Sequence, residues 1–336
     1  MARTALPRQL RKVADKELLQ KLEIGLDKVE LQLIEAVKHT DPIANVTTRH
    51  LIDAGGKRIR PTLVLLTSQL GEANLDEVVQ AAVVVELTHI GTLYHDDVMD
   101  DAPKRRGVDS AHEIWGNNVA ILTGDLLFAR ASQLVSKLGE KALTLQADTF
   151  ERLCLGQLNE TVGPQDGQDP IEHYLKVLAD KTGSLISASA ELGVIFSGAD
   201  QSLREPVRKY GEAIGIAFQL IDDYIDLHSD GEISGKTPGT DLRAGVPTLP
   251  VMFLRQEAKS DLEAAKLIDI IDSGLDDEAK LQSVLKALKD HSVTERTYQE
   301  AKRWAAQAIS ALDELPKGPV REALTSFAEA VIERSN

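Results

Sequence analysis

Apolar residues recur at three- and four-residue intervals along nearly the whole chain, while period-two alternation bounded by turn residues is scarce. That spacing puts an apolar stripe along one side of each of many helices and requires no strands. Turn and breaker residues interrupt the pattern at 40–42, 55–61, 71–74, 102–109, 163–170, 197–200, 228–247, 273–277 and 316–319, leaving about ten helices or more. Pro61 sits where a first-turn proline is tolerated, between GGKRIR and TLVLLTSQL. The hydrophobic share is 43% and the aromatic share only 4%, a Leu-, Ala-, Val- and Ile-rich mix suited to helices packed on helices. The predicted fold class is all-α, a single-domain bundle over 1–336 with 1–7 frayed, since no stretch has linker composition and no solenoid period occurs.

A formal net charge of -15 excludes a protein that holds nucleic acid or an anionic bilayer by charge alone. One cysteine, Cys154, excludes an intramolecular disulfide and a Cys-rich zinc site and points to a reducing, cytoplasmic setting. The first residues are basic but lack the apolar run of a secretory signal. The most apolar stretch, 78–93, is interrupted by Gln80, Glu86 and His89, which predicts a buried helix and no stable membrane insertion.

Two near-identical words stand out. Asp96-Asp97-Val-Met-Asp100, followed at once by Asp101, is echoed by Asp222-Asp223-Tyr-Ile-Asp226. Two DDxxD words arise by chance in roughly one chain in fifty of this composition. At about 100° per residue, Asp96 and Asp100 share a helix face with His89 two turns earlier, and Gln219, Asp222 and Asp226 align similarly. Solvated acidic helix ends would give the same pattern at a cost of a few tenths of a kcal/mol per like-charge pair. Aspartates at a helix C-terminus, however, oppose the macrodipole, and both preceding helices are too apolar to face mainly water. A bound cation relieves both costs. Hard oxygens without His or Cys favour magnesium, which completes its coordination with water and phosphate oxygens. The implied ligand is a diphosphate.

Such a ligand needs cations, and they come in tight groups: Lys57, Arg58 and Arg60 after Gly55-Gly56, then Arg105-Arg106-Gly107. Arginine forks match phosphate oxygens, and glycines allow close backbone approach. Lys181 in ADKTGSL and Lys236 in SGKTPGTD are further candidates, although a surface lysine is the usual reading of either taken singly. GEISGKT imitates a phosphate-binding P-loop but has Asp230 where the first glycine belongs. DLHSDG imitates a calcium loop but reaches Thr237 where the bidentate glutamate belongs.

GGKRIRP, HIGTLYHDDVMD with RRG downstream, GDLLFA, the Lys181-Thr182 pair, FQLIDDYID and GKTPGTDL occur in an order and spacing that resemble the trans-isoprenyl diphosphate synthases, the polyprenyl synthetase family. The resemblance covers nearly the whole chain. It implies the isoprenoid synthase fold, helices around a central apolar cavity, and a homodimer. It implies a trans-prenyltransferase that condenses an allylic prenyl diphosphate with isopentenyl diphosphate. About three magnesium ions per site, replaceable by manganese, would be held by Asp96, Asp97, Asp100, Asp222, Asp223 and Asp226. Lys57, Arg60, His89 and Arg106 would bind isopentenyl diphosphate; Arg105, Lys181 with Thr182, and Lys236 would hold the allylic diphosphate. Gln219 would stand beside the second aspartate word, and the catalytic set would be Asp96, Asp97, Asp100, Asp222, Asp223 and Lys181. The family often carries a lysine before the TLP segment, where this chain has Gly245-Val246-Pro247.

Metals and cations would stabilise the departing diphosphate so that the allylic carbon–oxygen bond ionises, with an apolar cavity keeping water out. Tyr94 and Phe218 are expected beside that cavity, although core packing is the better explanation of any aromatic here. Residues one turn below Asp96, about 6 to 8 Å deep, would set how far the product grows; Gly91 and Thr92 are not bulky where short-chain members of that family typically place an aromatic, so the resemblance implies a product of roughly thirty to forty-five carbons. Gly91 would alternatively serve close helix packing. Leu143 and Phe150 are candidates for the deeper floor. A class I terpene cyclase and a subunit of a heteromeric synthase remain alternatives. The first usually replaces the second aspartate word with an Asn/Asp, Ser/Thr, Glu triad, and the second generally has degraded aspartate words.

Overall fold

The computed structural model describes residues 15–228 and 239–333. Lys236, one expected phosphate ligand, lies outside the described residues. The chain runs through α1 (Lys16–Ala36), α2 (Pro42–Asp53), α3 (Ile59–Thr67), α4 (Leu75–Met99), α5 (Ala111–Trp115), α6 (Asn117–Val135), α7 (Glu140–Val162) and α8 (Pro170–Leu178). It continues through α9 (Ser184–Ile195), α10 (Arg204–His228), α11 (Thr240–Arg243), α12 (Leu249–Glu257), α13 (Leu262–Asp272), α14 (Glu278–Lys289), α15 (Ser292–Ala311) and α16 (Pro319–Glu333). The all-α expectation holds. Pro61 falls in the first turn of α3. The departure is a two-stranded antiparallel hairpin, β1 (Lys104–Arg105) with β2 (Val108–Asp109), paired Lys104 to Asp109 and Arg105 to Val108. Arg106 at φ 55° and Gly107 at φ 80° form its two-residue turn. Positive φ at both positions matches the twist of a tight hairpin, which is why a chain without strand periodicity still pairs here.

The chain divides into two compact units built from interleaved segments. The first comprises Met1–Glu151, Leu185–Gly211 and Ala311–Phe327; the second comprises Arg152–Ser184, Glu212–Ser310 and Ala328–Asn336.

In the first unit, Asp15 caps α1 by accepting from the Leu18 amide, and Leu18, Leu22, Leu26, Val29 and Leu33 bury one face at helical spacing. Each such side chain contributes about 1.5–3 kcal/mol when fully buried. α4 is the central helix, buried on nearly every side from Val78 to Asp97 and packed against α1, α3 and α6. The all-round apolar character of α4 thus reflects a core position, as the stretch 78–93 predicts. α6 is different. Asn117–Leu138 is long and apolar enough to cross a membrane by length and composition, and 33% of its apolar window is buried. Ile121, Leu122 and Leu126 lie exposed on it.

In the second unit, α12 packs on α8 and α13, and α13 meets α14. Leu281, Val284, Leu285 and Leu288 bury one side of α14. Arg152 donates to Asp180 at 2.8 Å and to Glu212 at 3.0 Å, so the acidic face left by Asp180 is neutralised locally. The helix line from α8 is interrupted by a π-helical turn at Ala179–Gly183, the ADKTG segment that carries Lys181 and Thr182. A wide turn of this kind frequently marks functional positions.

Candidate active site

The first aspartate word occupies the last turn of α4. Asp97 is 1% exposed, Asp96 is half-buried and Asp100, the C-cap, is exposed. The i, i+4 spacing predicted one face for Asp96 and Asp100; the burial pattern adds that Asp97 turns inward. Arg105, from β1, donates through Nε to Asp97 Oδ1 at 2.6 Å. The other oxygen, Oδ2, is buried without a hydrogen-bond partner. Burial raises the Asp97 pKa, and the Arg105 charge works against that rise. An unpaired buried carboxylate oxygen costs about 1–3 kcal/mol, which a cation beside it would recover.

Above this word lies a cluster of cations. His89, two turns back on α4, has its pKa depressed well below the usual imidazole range by burial, then by Arg60, Arg106, Arg105 and Arg58 in decreasing order. A neutral ring results, one that donates a hydrogen bond without adding charge. Arg60 is lowered to about 10 by burial, with Glu86 opposing and Arg106 adding to the shift, and its Nε has no hydrogen-bond partner. Arg106 donates to the carbonyls of Leu51 (2.6 Å) and Gly55. A Cβ on Gly56 would meet the Arg106 Cζ at 2.9 Å, so the second glycine of the GG pair makes room for that guanidinium. Expected ligands Arg60, His89, Arg105 and Arg106 are therefore brought together, with Lys57 exposed on the adjoining loop. Arg58 has another role. It is 2% exposed and pairs with Glu30 at 2.6 Å and Glu86 at 2.9 Å, holding the loop to the core.

The second word lies in the last two turns of α10, with Asp222 and Asp226 half-buried and Asp223 at 5% exposure. The Tyr174 hydroxyl donates to Asp223 Oδ2 at 2.6 Å, and the Leu249 amide donates to the same oxygen at 3.3 Å. Burial pushes the Asp223 pKa up to about 8 despite these donors. Asp226 Oδ1 accepts from the Thr240 amide at 3.3 Å, tying the word to α11. Gln219 and Thr182 are half-buried. Lys181 pairs with Glu160. Glu160 also belongs to the field, led by burial and then Asp223, that raises the Tyr174 pKa well above the phenol range. Lys181, Glu160, Tyr174 and Asp223 thus form one neighbourhood.

The residues expected near the apolar lining have these surroundings. Tyr94 is fully buried and donates to the Thr47 carbonyl, so it is a core residue. Leu143 is 44% exposed. Phe150 instead packs on Phe128 with ring centroids 4.6 Å apart, and a Cβ on Gly91 would lie 2.8 Å from the Phe128 ring. The space beside Gly91 is therefore bordered by an aromatic ring from α6. Phe218 is half-buried. Sequence reasoning missed Glu30, Glu86, Tyr174 and Phe128. Only the polar Glu86 inside an apolar stretch gave a signal.

The polyprenyl synthetase family model matches residues 41–288. Nonaprenyl diphosphate synthase of Mycobacterium tuberculosis is 42% identical over 311 residues, covering 92% of this chain and 92% of that protein. Among solved structures, geranylgeranyl pyrophosphate synthase of Corynebacterium glutamicum, complexed with calcium and isoprenyl diphosphate, superposes with a TM-score of 0.86 at 41% identity, covering 96% of this chain and 99% of that one. Decaprenyl diphosphate synthase of Rhodobacter capsulatus gives a TM-score of 0.85 at 32% identity, with 95% and 99% covered. With the family model matching 41–288 and a relative 42% identical over 92% of the chain, this protein belongs to the polyprenyl synthetase family.

Proposed function

We propose that this chain is a magnesium-dependent trans-prenyltransferase that condenses an allylic prenyl diphosphate with successive isopentenyl diphosphates to a medium- or long-chain polyprenyl diphosphate. The observation that carries the reading is the pair of aspartate words, each with its first and third carboxylates less buried than its second, together with the cluster of Arg60, His89 and Arg106 around the first of them. The buried, unpartnered Asp97 Oδ2 and the all-oxygen donor set fit a hard divalent cation. Asp96, Asp97, Asp100, Asp222, Asp223 and Asp226 are the residues assigned to hold it. Bound magnesium supplies positive charge that stabilises the diphosphate as it leaves.

The chain's own groups do the rest. Arg105 and Lys181 grip the allylic diphosphate, with Lys236 assigned the same task. Arg60, Arg106, Lys57 and the neutral His89 hold isopentenyl diphosphate. The allylic carbon–oxygen bond breaks and its electron pair leaves with the diphosphate. The double bond of isopentenyl diphosphate forms the new carbon–carbon bond, and the released diphosphate takes the proton whose loss restores a double bond. The Phe128 and Phe150 rings contribute apolar lining that excludes water. Gly91 and Thr92 remain the assigned length-setting turn, now bordered by Phe128. The exposed Ile121, Leu122 and Leu126 on α6 support a homodimer through that face rather than a membrane span. The single free cysteine, Cys154, supports a cytoplasmic location.

The test is incubation of the purified chain with magnesium, isopentenyl diphosphate and primers of several lengths, followed by chromatographic sizing. Elongated prenyl diphosphates are expected. Hydrocarbon products, or none without a partner protein, overturn the reading. Gly91→Phe, which would drive a second ring into Phe128, is expected to shorten the product, and an unchanged length removes Gly91 from the length-setting turn.

A further inference from the structure

Behind the first aspartate word lies a group of donors that the reaction does not use. His112, in the first turn of α5, has a side chain only 4% exposed, yet neither ring nitrogen has a hydrogen-bond partner. Its Nε2 points at two carboxylates, Glu113 Oε1 at 3.4 Å and Asp101 Oδ1 at 3.7 Å. One ligand atom from each of Asp101, His112 and Glu113 falls within 4.8 Å of the others. Burying an imidazole with both nitrogens unsatisfied is costly, so its orientation toward two acids needs a third participant. Ligands held at about 2.0–2.2 Å from one ion stand roughly 3–3.5 Å apart, close to the spacing already present. Asp101 is 96% exposed and Glu113 52% exposed at the side chain, which leaves both free to close the remaining distance.

We propose that Asp101, His112 and Glu113 form a second metal site, distinct from the aspartate words, that takes a transition-metal dication of the zinc or cobalt class. One imidazole nitrogen with two carboxylates is a borderline donor set that suits such ions better than magnesium. The site closes a loop. Asp101 opens the segment that leaves α4, at φ 49°, and His112 with Glu113 ends it at the start of α5. Between them lies the hairpin carrying Arg105 and Arg106. An ion here fastens both ends of the phosphate-gripping loop at one point and restricts its motion.

Equilibrium dialysis of the full chain against zinc, in excess magnesium and in an Asp96→Ala/Asp222→Ala background that weakens the aspartate words, tests the proposal. One zinc per chain is expected, with binding weakened at least about tenfold by His112→Asn and by Glu113→Gln. Glu113 is exposed, so its variant keeps the test valid if the buried His112 substitution impairs folding. Zinc should also slow hydrogen exchange across 102–110 in the unsubstituted chain. Absence of zinc binding in this background, or binding that both substitutions leave unchanged, overturns the site, as does a chelated wild-type loop as protected as the zinc-loaded one.

Discussion

The two aspartate words are near-copies in sequence, yet their second carboxylates are held by different chemistry. Asp97 is held by a charge, the Arg105 guanidinium reaching back from the hairpin, and keeps one oxygen unpartnered. Asp223 is held by neutral donors, the Tyr174 hydroxyl and the Leu249 amide on a single oxygen. A charge partner favours the ionised acid strongly, whereas neutral donors in a buried setting leave its pKa near 8. Burial raises both second carboxylates, but at Asp97 the Arg105 charge opposes that rise directly, whereas at Asp223 only the neutral donors do.

The largest effect expected tests what the words share. Asp96→Ala and Asp222→Ala should each lower kcat by about a thousandfold or more, near 4 kcal/mol of barrier, with far-UV circular dichroism unchanged. Near-normal turnover in either variant would show that the words are not equivalent in the chemistry. Next comes the difference in their supports. Arg105→Gln removes the Asp97 partner and, on the proposed reading, a phosphate grip, and should cost about a hundredfold in kcat/KM for the allylic primer. Tyr174→Phe should cost only about tenfold, with roughly 1–3 kcal/mol lost from stability in denaturant unfolding. Equal losses in the two variants would erase the distinction between charged and neutral support.

The smallest effect is a pH dependence. Asp223 has a folded pKa near 8, raised from 3.8 by burial, so between these values the native state binds more protons than the unfolded one. The stability this gives is present in full below pH of about 4 and is lost as pH rises toward about 8. Thermal melting of the metal-free protein should therefore fall between about pH 5 and 8 more steeply than that of Asp223→Asn. Parallel curves would mean that Tyr174 keeps Asp223 ionised throughout.

Much of this was legible beforehand because it is written in local spacing. Helical period placed α4 and α10, and i, i+4 geometry put Asp96 with Asp100 and Asp222 with Asp226. What stayed hidden depends on partners far along the chain. GGKRIR offers its cations in a row, and only the contacts with Glu30 and Glu86 separate the scaffolding Arg58 from Arg60. Tyr174 meets Asp223 across 49 positions, a separation no local pattern reports. Gly91 reads as an open space in isolation, and only the fold shows that the Phe128 ring borders it. Leu143 looks like core by residue type, but it is 44% exposed.

The Arg106 side chain is fastened before any substrate arrives, by the carbonyls of Leu51 and Gly55 and by a backbone held at φ 55°. A long, mobile side chain normally surrenders roughly 1–2 kcal/mol of rotational freedom on gripping an anion. Here that loss is incurred during folding, so in the proposed role nearly all of the contact energy with a phosphate would be realised as affinity. Lysine, whose ammonium cannot satisfy both carbonyls and a phosphate with a rigid planar fork, would be a costly replacement despite its equal charge.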